Sequence, residues 1–206
     1  PAGVRLSRVT ELDRYQLLAN AIAARPVPLL LSDRDAQPFT DGESITIPAK
    51  LLKDHERCWL SIVAQATLLA GRTLQPHLMR QLIGKRLAQQ RYLALEALRA
   101  RQAYGARLPI RFVEHPEWAA SSPLSSSPER SLEIALSNSA ALRPLRFFGE
   151  LRPLAVLRRV VDVEGLGALR RLRQAKESKA TSPQDSREGQ GEDSSLLKLF
   201  ASPWRS

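Results

Sequence analysis

Few residues of this sequence have the type and spacing that catalysis or metal binding requires. The candidate metal ligands other than carboxylates are three histidines and one cysteine: His55, His77, His115 and Cys58. His55 and Glu56 begin the zinc-binding motif H-E-x-x-H, but Trp59 stands where the second histidine would have to be. A single cysteine excludes an internal disulfide and a multi-cysteine metal site. It is also consistent with a reducing compartment. We therefore expect a protein without a metal site.

The sequence also lacks the motifs of common enzymes and of membrane proteins. It contains no G-x-x-x-x-G-K-[ST] or G-x-G-x-x-G loop for phosphates, and no G-x-S-x-G nucleophile turn. The carboxylates Asp33 and Asp35 lie close together, but in a stretch whose residue types are typical of turns. No apolar run reaches the roughly 18 residues that a membrane span needs. These patterns predict a cytoplasmic protein that is not an enzyme and needs no cofactor.

The chain carries an excess of positive charge, with 31 Lys and Arg against 21 Asp and Glu. Residues 80–107 contain seven basic residues and one acid, Glu96, and residues 143–176 contain nine basic residues and three acids. Arginine-rich helices of this kind can bind phosphates or an acidic protein surface. Because aromatic residues for base stacking make up only 5% of the chain, we favour a protein partner, with nucleic acid as the alternative. The candidate partner-binding arginines are Arg86, Arg91, Arg158, Arg159, Arg170 and Arg171.

Local patterns predict one helix and two short strands in the first 48 residues. An apolar stripe that follows Thr10 predicts a helix ending before Pro26, because the residue before a proline avoids helical backbone. Residues 26–31 are a short apolar run, and residues 44–48 alternate with period two and are rich in β-branched residues, so each segment predicts a strand. Residues 32–42 between them have the composition of a loop. We expect the two strands to form a β-hairpin that packs on helices.

Three further helices are predicted from apolar residues that recur at spacings of three and four. They span residues 49–71, 76–83 and 85–104. Within the last of these, Glu96 is expected to pair with Arg99, an interaction of a kind that contributes a few tenths of a kcal/mol. The predicted fold class is mainly α with a small β-hairpin (α+β), formed by a helical domain over residues 1–118.

The second half of the chain is predicted to alternate linkers with one basic helical segment. Residues 119–128 are rich in Ser and Pro and predict a linker, whereas residues 129–177 predict basic helices. Residues 178–195 are polar and acidic, which predicts a disordered linker. The last segment, residues 196–206, is a short apolar docking segment or the start of a missing C-terminal domain. Its candidate partner-binding residues are Leu196, Leu197, Leu199 and Phe200.

Three stretches of the sequence are similar to one known protein family. They are residues 40–48 (TDGESITIP), residues 63–71 (VAQATLLAG), and residues 91–96 (RYLALE) followed by Arg99 and Ala100. Together they resemble the N-terminal region of the nitric oxide reductase activation (NorD) family. The resemblance implies a helical N-terminal region, a charged linker and a C-terminal von Willebrand factor A domain. It also implies a MoxR-type AAA+ ATPase as partner, with which the protein activates or remodels a client enzyme.

The metal-binding signature of a von Willebrand factor A domain, D-x-S-x-S, is missing from this chain. We therefore expect a fragment that ends in the linker, with a shortened relative of the family as the alternative. A strand, Thr-Asp-Gly, a second strand and a helix also resemble small zinc peptidases, but residues 64–68 carry no ligand where H-E-x-x-H would stand. The favoured function is a non-catalytic adaptor between the ATPase and its client. The alternatives are a basic nucleic-acid-binding protein and a degenerate zinc-peptidase-like domain.

Overall fold

The described part of the chain consists of helices arranged around one small sheet. The computed structural model describes the backbone of residues 2–118, 125–137 and 144–161, and the side chains of these ranges from residue 12 onward. All of them belong to one compact unit, residues 1–165. The predictions of a mainly helical fold and of a small sheet are confirmed within these ranges.

The α-helices match most of the predicted ones. They are α1 (Ala2–Ala23), α2 (His55–Ala70), α3 (Pro76–Leu82), α4 (Arg86–Tyr104), α5 (Ile110–Val113), α6 (Pro128–Leu136) and α7 (residues 153–161). Short 3-10 helices span Ala49–Lys53, Gly105–Arg107 and Arg146–Phe148. No helix in the described ranges is both long enough and apolar enough to cross a membrane.

The helix predicted over residues 49–71 is divided at Asp54, and this part of the prediction is wrong. Asp54 has φ −111° and ψ 86°, which end the 3-10 helix before it. Its side-chain Oδ1 accepts a hydrogen bond from the backbone N–H of Arg57 at 3.0 Å. A carboxylate in this position satisfies a backbone donor that the first turn leaves free, so α2 begins anew after Asp54.

The sheet pairs its strands differently from the prediction. Its strands are β1 (Leu29–Ser32), β2 (Phe39–Thr40) and β3 (Ile45–Pro48), in the order β1-β3-β2. The two predicted strands, β1 and β3, pair in parallel, with Leu29 opposite Ile45. The predicted hairpin between them is therefore wrong. The residues between them, 33–44, give the connection of about a dozen residues that a parallel pair requires, and they include β2.

The hairpin of this fold joins β2 and β3, which pair antiparallel. Its turn is set by Asp41, whose Oδ1 accepts from the backbone N–H groups of Glu43 at 2.9 Å and Ser44 at 2.7 Å. Gly42 has φ +93°, a conformation that residues with a Cβ rarely adopt. Local side-chain bonds to the backbone thus turn the chain immediately after β2, inside the stretch predicted as a loop.

Helix α1 covers part of the outer edge of β1. The side chain of Gln16 donates to the carbonyl of Val27 and accepts from the backbone N–H of Leu29 at 3.2 Å. Oδ1 of Asn20 accepts from the backbone N–H of Val27 at 2.8 Å. These carboxamides supply the hydrogen bonds that a further strand would supply. Side chains of α1 therefore protect this end of the sheet edge from pairing with another strand.

Helix α2 is the centre of the core. Its Ile62 and Ala66 pack in a cluster with α1 and the sheet, while Val63 and Leu68 pack in another with α4, α5 and the aromatic residues 147–148. A third cluster joins α3, α4, α6 and residues 151–156. Helix α6, the first part of the predicted basic helical segment, thus packs on α4. The other segment boundaries predicted beyond residue 161 lie outside the described residues.

Candidate functional site

A cleft of about 400 Å³ opens between the first turns of α2 and α4 and residues 144–151, a segment that we call the strap. Exposed arginines from these three elements line it: Arg57 of α2, Arg86 of α4 and Arg146 of the strap. Its other polar lining residues are Gln37, Gln89, Gln90 and Glu150. We call this site the basic cleft.

The arginines of the basic cleft are not neutralised within the described part of the chain. Their guanidinium groups make no hydrogen bond or ion pair with a described residue. The one carboxylate among the lining residues is Glu150, and Nε of Arg152 donates to its Oε1 at 2.6 Å. Nη1 of Arg152 also lies 2.7 Å from Oδ1 of Asp35. The basic cleft therefore presents its positive charges to solvent.

Two hydrogen bonds hold the strap against the rest of the fold. The backbone N–H of Glu150 donates to the carbonyl of Pro38 at 3.0 Å. Nε2 of Gln65, a fully buried residue of α2, donates to the carbonyl of Phe148 at 2.6 Å. Between these two anchors Gly149 has φ +64° and ψ −127°. The path of the strap, and with it the position of Arg146, depends on this turn.

Aromatic packing also holds the strap in place. The ring centroids of Phe147 and Phe148 lie 5.6 Å and 6.2 Å from that of Phe112. Trp118 packs against Phe147 and Phe148 in edge-to-face contacts. Aromatic pairs in such geometry contribute roughly 0.5–1.5 kcal/mol beyond their buried area. These contacts bind one wall of the basic cleft to α5 and to the residues that follow it.

Acid is expected to weaken the contact between Asp35 and Arg152, the residue that follows the strap. Hydrogen bonds from Ser32 and from Arg152 hold the pKa of Asp35 below its ordinary value. The stability that this carboxylate supplies is therefore complete above the unfolded pKa of about 3.9 and is lost as pH falls through the lower folded pKa. Measured against pH, the melting temperature of Asp35→Asn should lie below that of the unmodified protein near neutral pH and converge with it in acid. A constant gap would contradict this.

Among the predicted partner-binding arginines that the structure describes, only one lies in the basic cleft. Arg86 lines it. Nη1 of Arg91 donates to the carbonyl of Ala135 at 3.3 Å and so helps to hold α6 on α4. Arg158 is exposed on α7, and Nε of Arg159 lies 3.2 Å from a carboxylate oxygen of Asp41. The candidates outside the described residues are Arg170, Arg171, Leu196, Leu197, Leu199 and Phe200.

Two arginines of the basic cleft were not among the predicted site residues. Arg57 lies outside both basic stretches, and Arg146 is one of nine basic residues in the second. Nothing in residue type or spacing sets these two arginines apart from the other arginines of the chain. Only the packing of the strap against α2 and α4 brings Arg57, Arg86 and Arg146 together, so no local signal could have identified them.

The predicted pair of Glu96 and Arg99 is confirmed, but it lies in the interior. Glu96 is fully buried, and the side chain of Arg99 is 12% exposed. Nε and Nη2 of Arg99 donate to the two carboxylate oxygens of Glu96 at 2.9 Å and 2.6 Å. Burial alone would lower the pKa of Arg99, but the hydrogen bond and the charge of Glu96 raise it above its ordinary value. Arg99 therefore keeps its positive charge in the interior.

Two hydroxyl groups complete the environment of Glu96. Oγ1 of Thr73 donates to it at 3.0 Å and Oγ of Ser131 at 2.5 Å. Nη2 of Arg99 also donates to the carbonyl of Gly71 at 2.9 Å. These bonds connect α4 with α6 and with the connection between α2 and α3. Arg99, Thr73 and Ser131 together donate hydrogen bonds to both oxygens of the Glu96 carboxylate. The role of Glu96 is therefore to hold these elements together.

No arrangement for metal binding occurs among the described residues, where no group of three or more His, Cys, Asp and Glu side chains could hold an ion. The lining residues of the basic cleft include no histidine, cysteine, serine or threonine that could act as nucleophile or proton carrier. What the cleft can do chemically is bind an anion. Neither known protein families, nor curated proteins, nor solved structures gave a match to this chain.

Proposed function

We propose that this chain is a non-catalytic adaptor that binds a protein partner through the basic cleft. The observation that carries the proposal is the convergence of Arg57, Arg86 and Arg146 on one concave surface without a described acidic partner. A cluster of exposed charges of one sign speeds the encounter with a surface of opposite sign and suppresses wrong partners. This arrangement suits binding better than a reaction, because the one carboxylate among the lining residues, Glu150, is already paired with Arg152.

The sequence resemblance suggests the identity of the partners. We propose that the adaptor acts in the cytoplasm, binds a MoxR-type AAA+ ATPase and presents a client metalloenzyme to it. Support comes from residues 40–48 and 63–71, two of the three stretches on which the resemblance rests. The first forms the β2–β3 hairpin, and the second ends α2, the helix that also carries Arg57. Residues 63–71 also help to hold the basic cleft together, because Gln65 binds the strap.

Reversing the charges of the basic cleft is expected to weaken partner binding about tenfold. In the triple variant Arg57→Glu, Arg86→Glu, Arg146→Glu, each lost contact between exposed charges costs roughly 0.5 kcal/mol, and 1.4 kcal/mol corresponds to a factor of ten. Calorimetric titration with a purified MoxR-type ATPase would measure Kd. The melting temperature should change little, because the three side chains have no described partners to lose.

A matched control reverses three other exposed arginines, Arg34, Arg80 and Arg107, which do not line the cleft. Both triple variants change the net charge equally, so the comparison separates the cleft from the overall charge of the protein. Equal weakening in both variants would contradict the proposal. Tighter binding to random duplex DNA than to the ATPase, with a steep dependence on salt, would favour the nucleic-acid alternative.

A further inference from the structure

We infer that the basic cleft takes an acidic segment of the partner protein in which carboxylates flank an apolar side chain. This inference rests on the proposed function and adds to it the chemistry of the partner segment. Its basis is the combination, in one cleft, of exposed arginines with an apolar floor.

Apolar side chains form the floor of the basic cleft. Leu93 and Leu151 are only 1% and 8% exposed, so the apolar surface open to solvent is supplied by the half-buried Pro144 and Leu145. Covering an apolar surface lowers the free energy when another apolar group displaces the water on it. A bare anion or a phosphate backbone cannot do this, whereas an aliphatic side chain can. A ligand that covers the floor therefore needs an apolar group in addition to negative charge.

The arginines select for carboxylates around that apolar side chain. Arg57, Arg86 and Arg146 come from α2, α4 and the strap, and the cleft opens between these elements. A planar guanidinium can bind a carboxylate through two parallel hydrogen bonds. The arginines stand on different elements around the cleft. Carboxylates bound to them therefore lie on more than one side of the apolar side chain that covers the floor. Acidic residues on both sides of an apolar residue meet this requirement.

The remaining polar groups and the volume fit an extended peptide. Gln37 and Gln90 are exposed lining residues whose carboxamides can both donate to and accept from a peptide backbone. Gln89 is already used within the fold, since its Nε2 donates to the carbonyl of Leu82 at 2.7 Å. A volume of about 400 Å³ lies at the lower end of the range of roughly 300–1,000 Å³ found for ligand pockets. It accommodates a few side chains of a segment.

The test uses short labelled peptides as probes of the cleft in the complete chain. Fluorescence anisotropy at low salt would compare Asp-Asp-Leu-Asp-Asp with Asp-Asp-Ala-Asp-Asp and Asn-Asn-Leu-Asn-Asn. We expect the first peptide to bind, and the alanine peptide to bind about fivefold more weakly because it covers less of the floor. The asparagine peptide should bind at least about tenfold more weakly because it lacks the charges. The triple variant of the cleft should lose binding of the first peptide, and the matched control variant should retain it.

Several results would overturn the inference. The alanine peptide binding as well as the leucine peptide would show that the floor is not covered. Displacement of the peptide by an equal concentration of inorganic phosphate would show a simple anion site, and preferred binding of duplex DNA would show a nucleic-acid surface. If these peptides fail but capture of the ATPase still depends on the cleft arginines, only this inference fails. If capture is also independent of those arginines, the proposed function fails with it.

Discussion

Replacing Gly149 by alanine is expected to destabilise the protein by at least about 3 kcal/mol and to abolish binding at the basic cleft. Gly149 has φ +64° and ψ −127°, a conformation that residues with a Cβ rarely adopt. A Cβ at this position would lie 2.0 Å from the carbonyl oxygen of Pro38 and 2.9 Å from its carbonyl carbon. Those atoms are backbone and cannot rotate away. The strap must therefore lift from Pro38, which displaces Arg146 and opens one wall of the cleft.

Gly84→Ala is the matched control for this substitution. Gly84 also has a positive φ, +72°, but no atom lies within 4 Å of where its Cβ would stand. This control should cost only the backbone strain of about 1 kcal/mol. Urea unfolding of both variants would give the two free energies, and the peptide assay would show whether the cleft survives. Equal free energies of unfolding would contradict the close packing of the strap on Pro38.

Replacing Glu96 by alanine is expected to cost roughly 3–5 kcal/mol. The substitution leaves the guanidinium of Arg99 in the interior without its counter-charge, with Nη2 still bound to the carbonyl of Gly71. It also removes the acceptor for the hydroxyl groups of Thr73 and Ser131. A charge left unpaired in the interior is costly because protein solvates it far less well than water. The free energy of unfolding in urea would measure the loss.

The exposed pair of Arg130 and Glu133 supplies the control for Glu96. It has the same spacing along a helix, with an Nη1 to Oε2 distance of 2.7 Å, but both side chains are more than half exposed. Glu133→Ala should therefore cost no more than about 0.5 kcal/mol. The double variant Glu96→Ala, Arg99→Ala should be less destabilised than the sum of its single variants, because removing both charges leaves neither unpaired. An effect of Glu96→Ala as small as that of Glu133→Ala would show that the pair is not a buried one.

The helices were predictable because their signals are local. The apolar periodicities over residues 76–83 and 85–104 placed α3 and α4 to within about one residue at each end. The division at Asp54 was missed because apolar spacing continues through it, although a capping carboxylate was visible in the sequence. The positions of β1 and β3 were also predicted, but β2 and the pairing of the strands were not. Pairing depends on which strands meet in space, and β2 is only two residues long.

The candidate site was predictable only in part. The arginine-rich stretches indicated a basic surface and included Arg86, but they could not indicate that Arg57 and Arg146 lie beside it. In the same way, the spacing of Glu96 and Arg99 predicted that they pair. It did not predict that the pair is buried, because that depends on α6, which brings Ser131 to the carboxylate. Each of these features joins residues that are far apart in the chain.

The helical class of this protein, most helix boundaries, the excess of positive charge and the lack of known catalytic motifs are all readable from the residues in order. These properties depend on residue type and on spacings of a few residues, over which backbone conformation and side-chain bonds act directly. In contrast, the pairing of the strands, the burial of charges and the grouping of arginines in one cleft became visible only in the folded chain. Those outcomes depend on where Gly149 lets the strap turn and on how α2, α4 and α6 pack, since packing selects among the many ways that locally similar segments could meet.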